Sequence, residues 1–221
     1  MSQTVHPYAH RLGIIRDWKS RWFAKGKEYR DYLHADTLLR EFLTKRLKGM
    51  NLSDIQIERP EKRIRIILKS ARPGLIIGRN GEGITSVRKQ IEKLLRKNGY
   101  FDPDTTIKID VEEVRYPEAD AMVVGQMIAE QLEKRMPFRR VMKQTAEKVM
   151  ANREVQGVRI QVGGRLGGSD MARSEQIKRG RVPLQTFRAD VDYALYEAKD
   201  QFGIMGIKVW IYRGDIVDAK K

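Results

Sequence analysis

The sequence predicts an α+β protein built from two unlike domains. Three observations carry this. Residues 28–111 read as helix, strand, strand, helix, helix, strand; Tyr116 and Pro117 then break the pattern; and two close-set helices follow, leading into a run of strands. The boundaries that follow are a basic arm at 1–16, a first domain at 17–114, a second at 115–213 and a short polar tail at 214–221.

The arm is polar, broken by Pro7 and Gly13, and carries Arg11 and Arg16, so it is expected to order only against a partner. Trp18, Trp22 and Phe23 then open a short helical stretch. Rings at such positions can stack bases, but more often they pack a core. A longer helix runs from Glu28 to Leu47, where Leu38, Leu39, Phe42, Leu43 and Leu47 recur at three- and four-residue steps, and Gly49 and Asn51 end it. Ile55 and Ile57, then Ile64, Ile66 and Leu68, alternate with polar neighbours around a turn at residues 58–62, as two strands do. The helix from Glu82 to Lys97 places Ile84, Val87, Ile91, Leu94 and Leu95 on one face and Arg88, Lys89, Lys93, Arg96 and Lys97 on the other. Thr106–Val111 alternates as a third strand.

Beyond the break, helices are expected over 118–134 and 137–151, with Pro137 suited to a first helical turn. Val158, Ile160 and Val162 alternate, and residues 163–168 form a glycine-rich turn. A basic strand is expected over 171–178, another over 184–193, a short helix over 196–201, and a closing strand through Ile207, Val209 and Ile211. This is a mixed α/β domain with a four-stranded sheet packed on helices.

Composition narrows the function. Forty-four Lys and Arg against 29 Asp and Glu give a net charge of +15, while 41 % of residues are apolar. Such a chain folds, and the surplus it keeps despite self-repulsion points to a polyanionic partner. There is no cysteine, which removes thiol nucleophiles and cysteine-ligated metal sites. The opening MSQTVHPYAHRLG has no apolar core of a signal peptide, and no stretch has the length of a membrane span, so a cytoplasmic protein without a membrane partner is expected.

The most informative local feature is LIIGRNGEGI. Gly78, Arg79, Asn80 and Gly81 lie between an apolar segment, Leu75–Ile77, and the basic helix. Two glycines around two polar residues let the backbone approach a nucleotide chain, and the next helix offers amide donors at the same place. Set in its order of elements, this is the Gly-x-x-Gly loop of a type II KH domain. A P-loop would need Gly-Lys-Ser/Thr, and a dinucleotide fingerprint a different glycine spacing.

In the second domain Phe138, Val141, Met142, Thr145 and Val149 share one helical face, and Arg139, Arg140 and Lys143 the opposite one. With Arg165, Arg173, Lys178, Arg179 and Arg181 they suggest a second nucleic-acid surface of multidentate phosphate donors. Catalysis has little to stand on. No histidine follows His34, the His6 and His10 pair is interrupted by Pro7, and Asp190 and Asp192 are best explained by exposure or by pairing with arginines. Neither a cofactor nor a metal is expected.

Several stretches carry a family resemblance: HPYAHRLG at His6, TKRL at Lys45, IERPEKRIRI from Ile57, ARPGLIIGRNGEGI from Ala71, FRRVMKQ from Phe138, GGRLGGSDMARSEQIKRGRVPLQTFRADVDY from Gly163 and GIMGIKVWIYRG from Gly203. In these the chain resembles the bacterial small-subunit ribosomal protein S-three family. The resemblance implies a type II KH domain and an α/β C-terminal domain in the head of the small subunit. It implies ribosomal RNA, messenger RNA and neighbouring ribosomal proteins as partners, with no obligate homo-oligomer. Arg139, Arg140 and Lys143 match the residues that line the channel through which messenger RNA enters and that aid unwinding of structured message. The loop interior departs from the family, having Arg-Asn where two lysines are frequent; the 98–104 segment looks long, and His10 is unexpected in the arm. The alternative is a free regulatory KH protein acting outside the ribosome.

Overall fold

The computed structural model describes residues 5–60, 63–100 and 105–216. Two compact units emerge: one is Trp18–Arg115, and the other joins the N-terminal segment up to Asp17 with the chain from Tyr116 onward.

The N-terminal segment begins with α1 (Pro7–His10), a single turn. The expectation of an arm that orders only against a partner is corrected here, because the segment packs on the C-terminal part of its own chain. Arg11 is completely buried, and its guanidinium donates to the carbonyls of Pro7, Pro183, Leu184, Thr186 and Ala189 at 2.6–3.2 Å. Burial lowers its pKa, opposed by the nearby Asp190 carboxylate. Arg16 pairs with Asp190 at 2.6 Å. His6 and His10 do share a helical turn, but His6 Nδ1 accepts from the Ala9 N–H and His10 stacks on Phe187 at 4.2 Å.

In the Trp18–Arg115 unit, β1 (Ser20–Arg21), α2 (Gly26–Arg46), β2 (Leu52–Glu58), β3 (Arg63–Ser70), α3 (Pro73–Ile77), a 3-10 turn (Arg79–Gly81), α4 (Glu82–Lys97) and β4 (Thr106–Glu113) follow in order. The sheet runs β1-β2-β3-β4, with β2 and β3 antiparallel and β3 and β4 parallel. Leu39 and Leu43 of α2 and Val87, Ile91 and Leu95 of α4 bury against Ile55, Ile57, Ile64, Ile66, Leu68 and Ile107. The helix–strand–strand–helix–helix–strand order expected of a KH domain is present. The helical stretch expected at Trp18–Phe23 is not: Ser20–Arg21 pairs in parallel with Ile57–Glu58. Arg40 fixes the extended segment by donating to Ile55 O, Lys19 O and Ser20 Oγ. Of the 98–104 segment, Tyr100 packs on this core, and Phe101–Asp104 lie outside the described residues.

The other unit adds a 3-10 turn (Pro117–Ala119), α5 (Ala121–Glu133), α6 (Phe138–Ala151), β5 (Gly157–Gly164), a 3-10 turn (Leu166–Gly168), β6 (Arg173–Gly180), β7 (Ala189–Asp200) and β8 (Gly203–Asp215). Asp120 caps α5, accepting from the Met122 and Val123 amides at 3.0 Å, which sets the helix start later than Glu118. The antiparallel sheet β6-β5-β8-β7 packs Val158, Ile160, Val162, Ile207, Val209 and Ile211 against Val124, Ile128, Val141, Met142 and Val149 of the helices. The short helix expected at 196–201 is instead the end of β7, where Tyr196 pairs with Ile207 and Ala198 with Met205. Ala, Glu and Lys favour helix locally; cross-strand pairing with β8 overrides that preference.

Candidate nucleic-acid interface

The glycine loop is built by close approach of two helices. Gly78 ends α3 at φ 71° and ψ −177°, a conformation open essentially only to glycine, and Asn80 takes a left-handed φ of 51°. Gly83, inside α4, was not singled out in the sequence. A Cβ there would lie 2.5 Å from Ile76 O and 2.8 Å from Ile77 O, so its bare Cα lets the start of α4 sit on the end of α3. The GRNGEG spacing was the available signal. Gly83→Ala is expected to push the helices apart and destabilise this unit by about 2 kcal/mol, measurable by urea unfolding; an unchanged midpoint would contradict the close-approach account.

Arg79 and Asn80 are exposed on the loop. Of the apolar segment before the loop, Leu75 and Ile77 are exposed and Ile76 belongs to the core. Asn80 joins Thr85, Ser86, Lys89 and Lys93 around a shallow concavity of about 500 Å³. Arg88 stands apart, tied to Glu92 at 3.2 Å one turn on.

On α6 the expected division of faces is present. Val141, Met142, Thr145 and Val149 are buried, while Arg139, Arg140 and Lys143 are exposed. Arg139 is engaged within the protein. It donates twice to Glu175 of β6, both at 3.0 Å, and holds the Glu175 carboxyl below the usual carboxylate range. Arg173 reaches the same carboxylate at 3.8 Å, and both guanidiniums lie under 6 Å from the Phe138 ring centroid. Arg140 and Lys143 have no ion pair among the described residues.

The remaining cations do not form one row. Strand alternation puts Arg173, Glu175, Ile177 and Arg179 on the side of β6 that meets α6, where Arg179 approaches Glu147 at 3.9 Å. Lys178 falls on the other side, opposite Arg159 in register. Arg165 is held by Ser169 O at 2.9 Å and Asp170 at 3.5 Å, and Arg181 is exposed just past the strand. Asp190 and Asp192 pair with Arg16 and Arg213, as the abundance of arginine suggested. Among the described residues no three His, Asp or Glu side chains are placed to hold a metal, and no helix is long and apolar enough to cross a membrane.

Comparison with known proteins agrees with this arrangement. Residues 38–119 match the family described as KH domain, and residues 128–211 the family described as Ribosomal protein S3, C-terminal domain. The small ribosomal subunit protein uS3 of Caldicellulosiruptor bescii is 46 % identical over 220 residues, covering 100 % of this chain and 96 % of its own length. That of Coxiella burnetii is 47 % identical over 216 residues, covering 98 % and 91 %. With two domain families matched in order and full-length relatives at this identity, the chain belongs to the bacterial uS3 family of small ribosomal subunit proteins.

Proposed function

We propose that the protein is a structural RNA-binding component of the small-subunit head, gripping ribosomal RNA through the KH loop and α4 and guiding messenger RNA along α6. The role is structural rather than catalytic, and its place is the small subunit in the bacterial cytoplasm. The observation that carries the messenger role is the exposed Arg139, Arg140 and Lys143 set on a helix whose opposite face buries Val141, Met142, Thr145 and Val149. Such a helix presents cations on a rigid support, and phosphate contacts of this kind hold a strand without reading its sequence.

The test is the triple substitution of Arg139, Arg140 and Lys143 by alanine. Subunit assembly is expected to persist, since none of the three fills the core. Translation through a stable message hairpin is expected to slow several-fold more than translation of unstructured message. Equal effects on both messages would overturn the messenger role.

Glu175 yields a prediction of opposite sign. Its carboxylate competes with phosphate for Arg139, so Glu175→Gln is expected to tighten RNA binding and steepen its salt dependence by about one counterion. A weaker complex would show that Glu175 instead orients Arg139 for its contact.

A further inference from the structure

A group of rings on the Trp18–Arg115 unit is used neither by the KH loop nor by the core. Phe23 is 81 % exposed and Tyr29 50 %, with Tyr32 and Leu33 exposed beside them on the first turns of α2. Tyr29 and Tyr32 lie three residues apart on one helical face, and Trp22 packs against both, at 5.4 and 5.7 Å between centroids. The cluster is held from beneath. Buried Asp36 accepts from Trp22 Nε1 at 2.7 Å and takes two bonds from Arg59 at 3.1 and 2.7 Å. The Arg59 guanidinium in turn lies 4.7 Å from the Tyr32 ring centroid. The desolvated ion pair thus fixes Trp22 and Tyr32, and through Trp22 it backs the exposed Tyr29.

Charge indicates what covers them. Lys25 and Lys27 are exposed beside the rings, next to Glu28, with Lys25 Nζ 5.7 Å from the Phe23 ring centroid, while Arg21 is paired with Glu58 at 3.4 Å and Arg30 with Asp31 at 3.0 Å. Protein interfaces are depleted in lysine at their centres, whereas surfaces for single-stranded nucleic acid combine cations that follow the backbone with ring faces on which bases stack. We propose that the start of α2, centred on Phe23 and Tyr29, is a stacking surface for unpaired RNA bases, separate from the KH loop. It rests on the reading of the chain as an RNA-binding protein and is independent of whether the KH loop touches RNA.

The test measures binding of the full-length protein to a single-stranded oligoadenylate and to an RNA duplex of equal length. Phe23→Ala combined with Tyr29→Ala is expected to weaken the single strand by about tenfold or more, with duplex affinity and salt slope unchanged. Both side chains are exposed, and circular dichroism checks that the fold survives. Phe23→Leu combined with Tyr29→Leu keeps apolar bulk without a π face and is expected to weaken the single strand too; full retention would overturn stacking. Arg79→Glu, on the KH loop, separates the two readings. If Arg79→Glu weakens RNA binding and the ring variants do not, the stacking surface falls while the RNA-binding function stands, and the rings belong to a protein neighbour. If neither variant has an effect, the stacking surface and the KH-loop contact both fall, and binding is left to α6 and β6.

Discussion

Arg11→Ala is expected to destabilise the unit containing β5–β8 by about 3–5 kcal/mol. The side chain is wholly buried, and five carbonyl oxygens, from Pro7 and from the 183–189 segment, accept from it. Alanine would take a donor from all five carbonyls, of which Thr186 O keeps the Ala189 amide, and each unmet buried acceptor costs about 1–3 kcal/mol. Relaxation of the N-terminal segment recovers part of the sum, which is why the expected total falls below five full penalties. Arg11→Lys should be intermediate, because one ammonium cannot reproduce a planar fork across carbonyls on several sides. Urea unfolding combined with hydrogen exchange at the amides of Ala189–Asp200 reads the effect. A change below about 1 kcal/mol would show that the guanidinium is not a structural centre.

Asp36→Ala is expected to cost the Trp18–Arg115 unit a similar amount, about 3–5 kcal/mol. Asp36 is 3 % exposed, and its removal leaves Arg59 buried without its carboxylate and Trp22 Nε1 without its acceptor. An uncompensated buried charge costs more than a missing pair, so Asp36→Ala with Arg59→Met should destabilise less than Asp36→Ala alone. Two of the three tryptophans, Trp18 and Trp22, lie in this unit, so tryptophan fluorescence during denaturation reports on it. If the double variant were the less stable one, Arg59 would be held by its contact with the Tyr32 ring rather than by the carboxylate.

Where burial imposes a period on the apolar residues, the fold was legible. Leu39 and Leu43 on α2, Ile91 and Leu95 on α4, and the alternation through Ile64, Ile66 and Leu68 are written at helical and strand spacing, and all are buried. Trp18–Phe23 and Tyr196–Asp200 were not legible, because their structure is decided by partners distant in sequence. The first pairs with Ile57 and Glu58 of β2. The second lies along β8, whose own apolar pattern gives no sign of what its neighbour will be.

The candidate site divides in the same way. Gly78–Gly81 and the α6 face could be read because loop chemistry and helical period are local properties. Arg11 could not, since a charged side chain ordinarily faces water, and four of the five carbonyls that hold it arrive more than 170 residues later. The bidentate hold of Glu175 on Arg139 joins a helix to a strand 36 residues away and leaves no mark in spacing. Sequence therefore shows where positive charge is carried, and tertiary contacts decide which of it faces outward.

The central claim is that this outward charge, on the KH loop with α4 and on α6 with β6, meets RNA, while the arginines of the N-terminal segment serve the fold. Residue-resolved RNA crosslinking in the intact small subunit tests it most directly. The expected adducts lie at Arg79–Lys93 and at Arg139–Arg179, with none at Arg11. Adducts at Arg11, or their absence from both of the other regions, would contradict it.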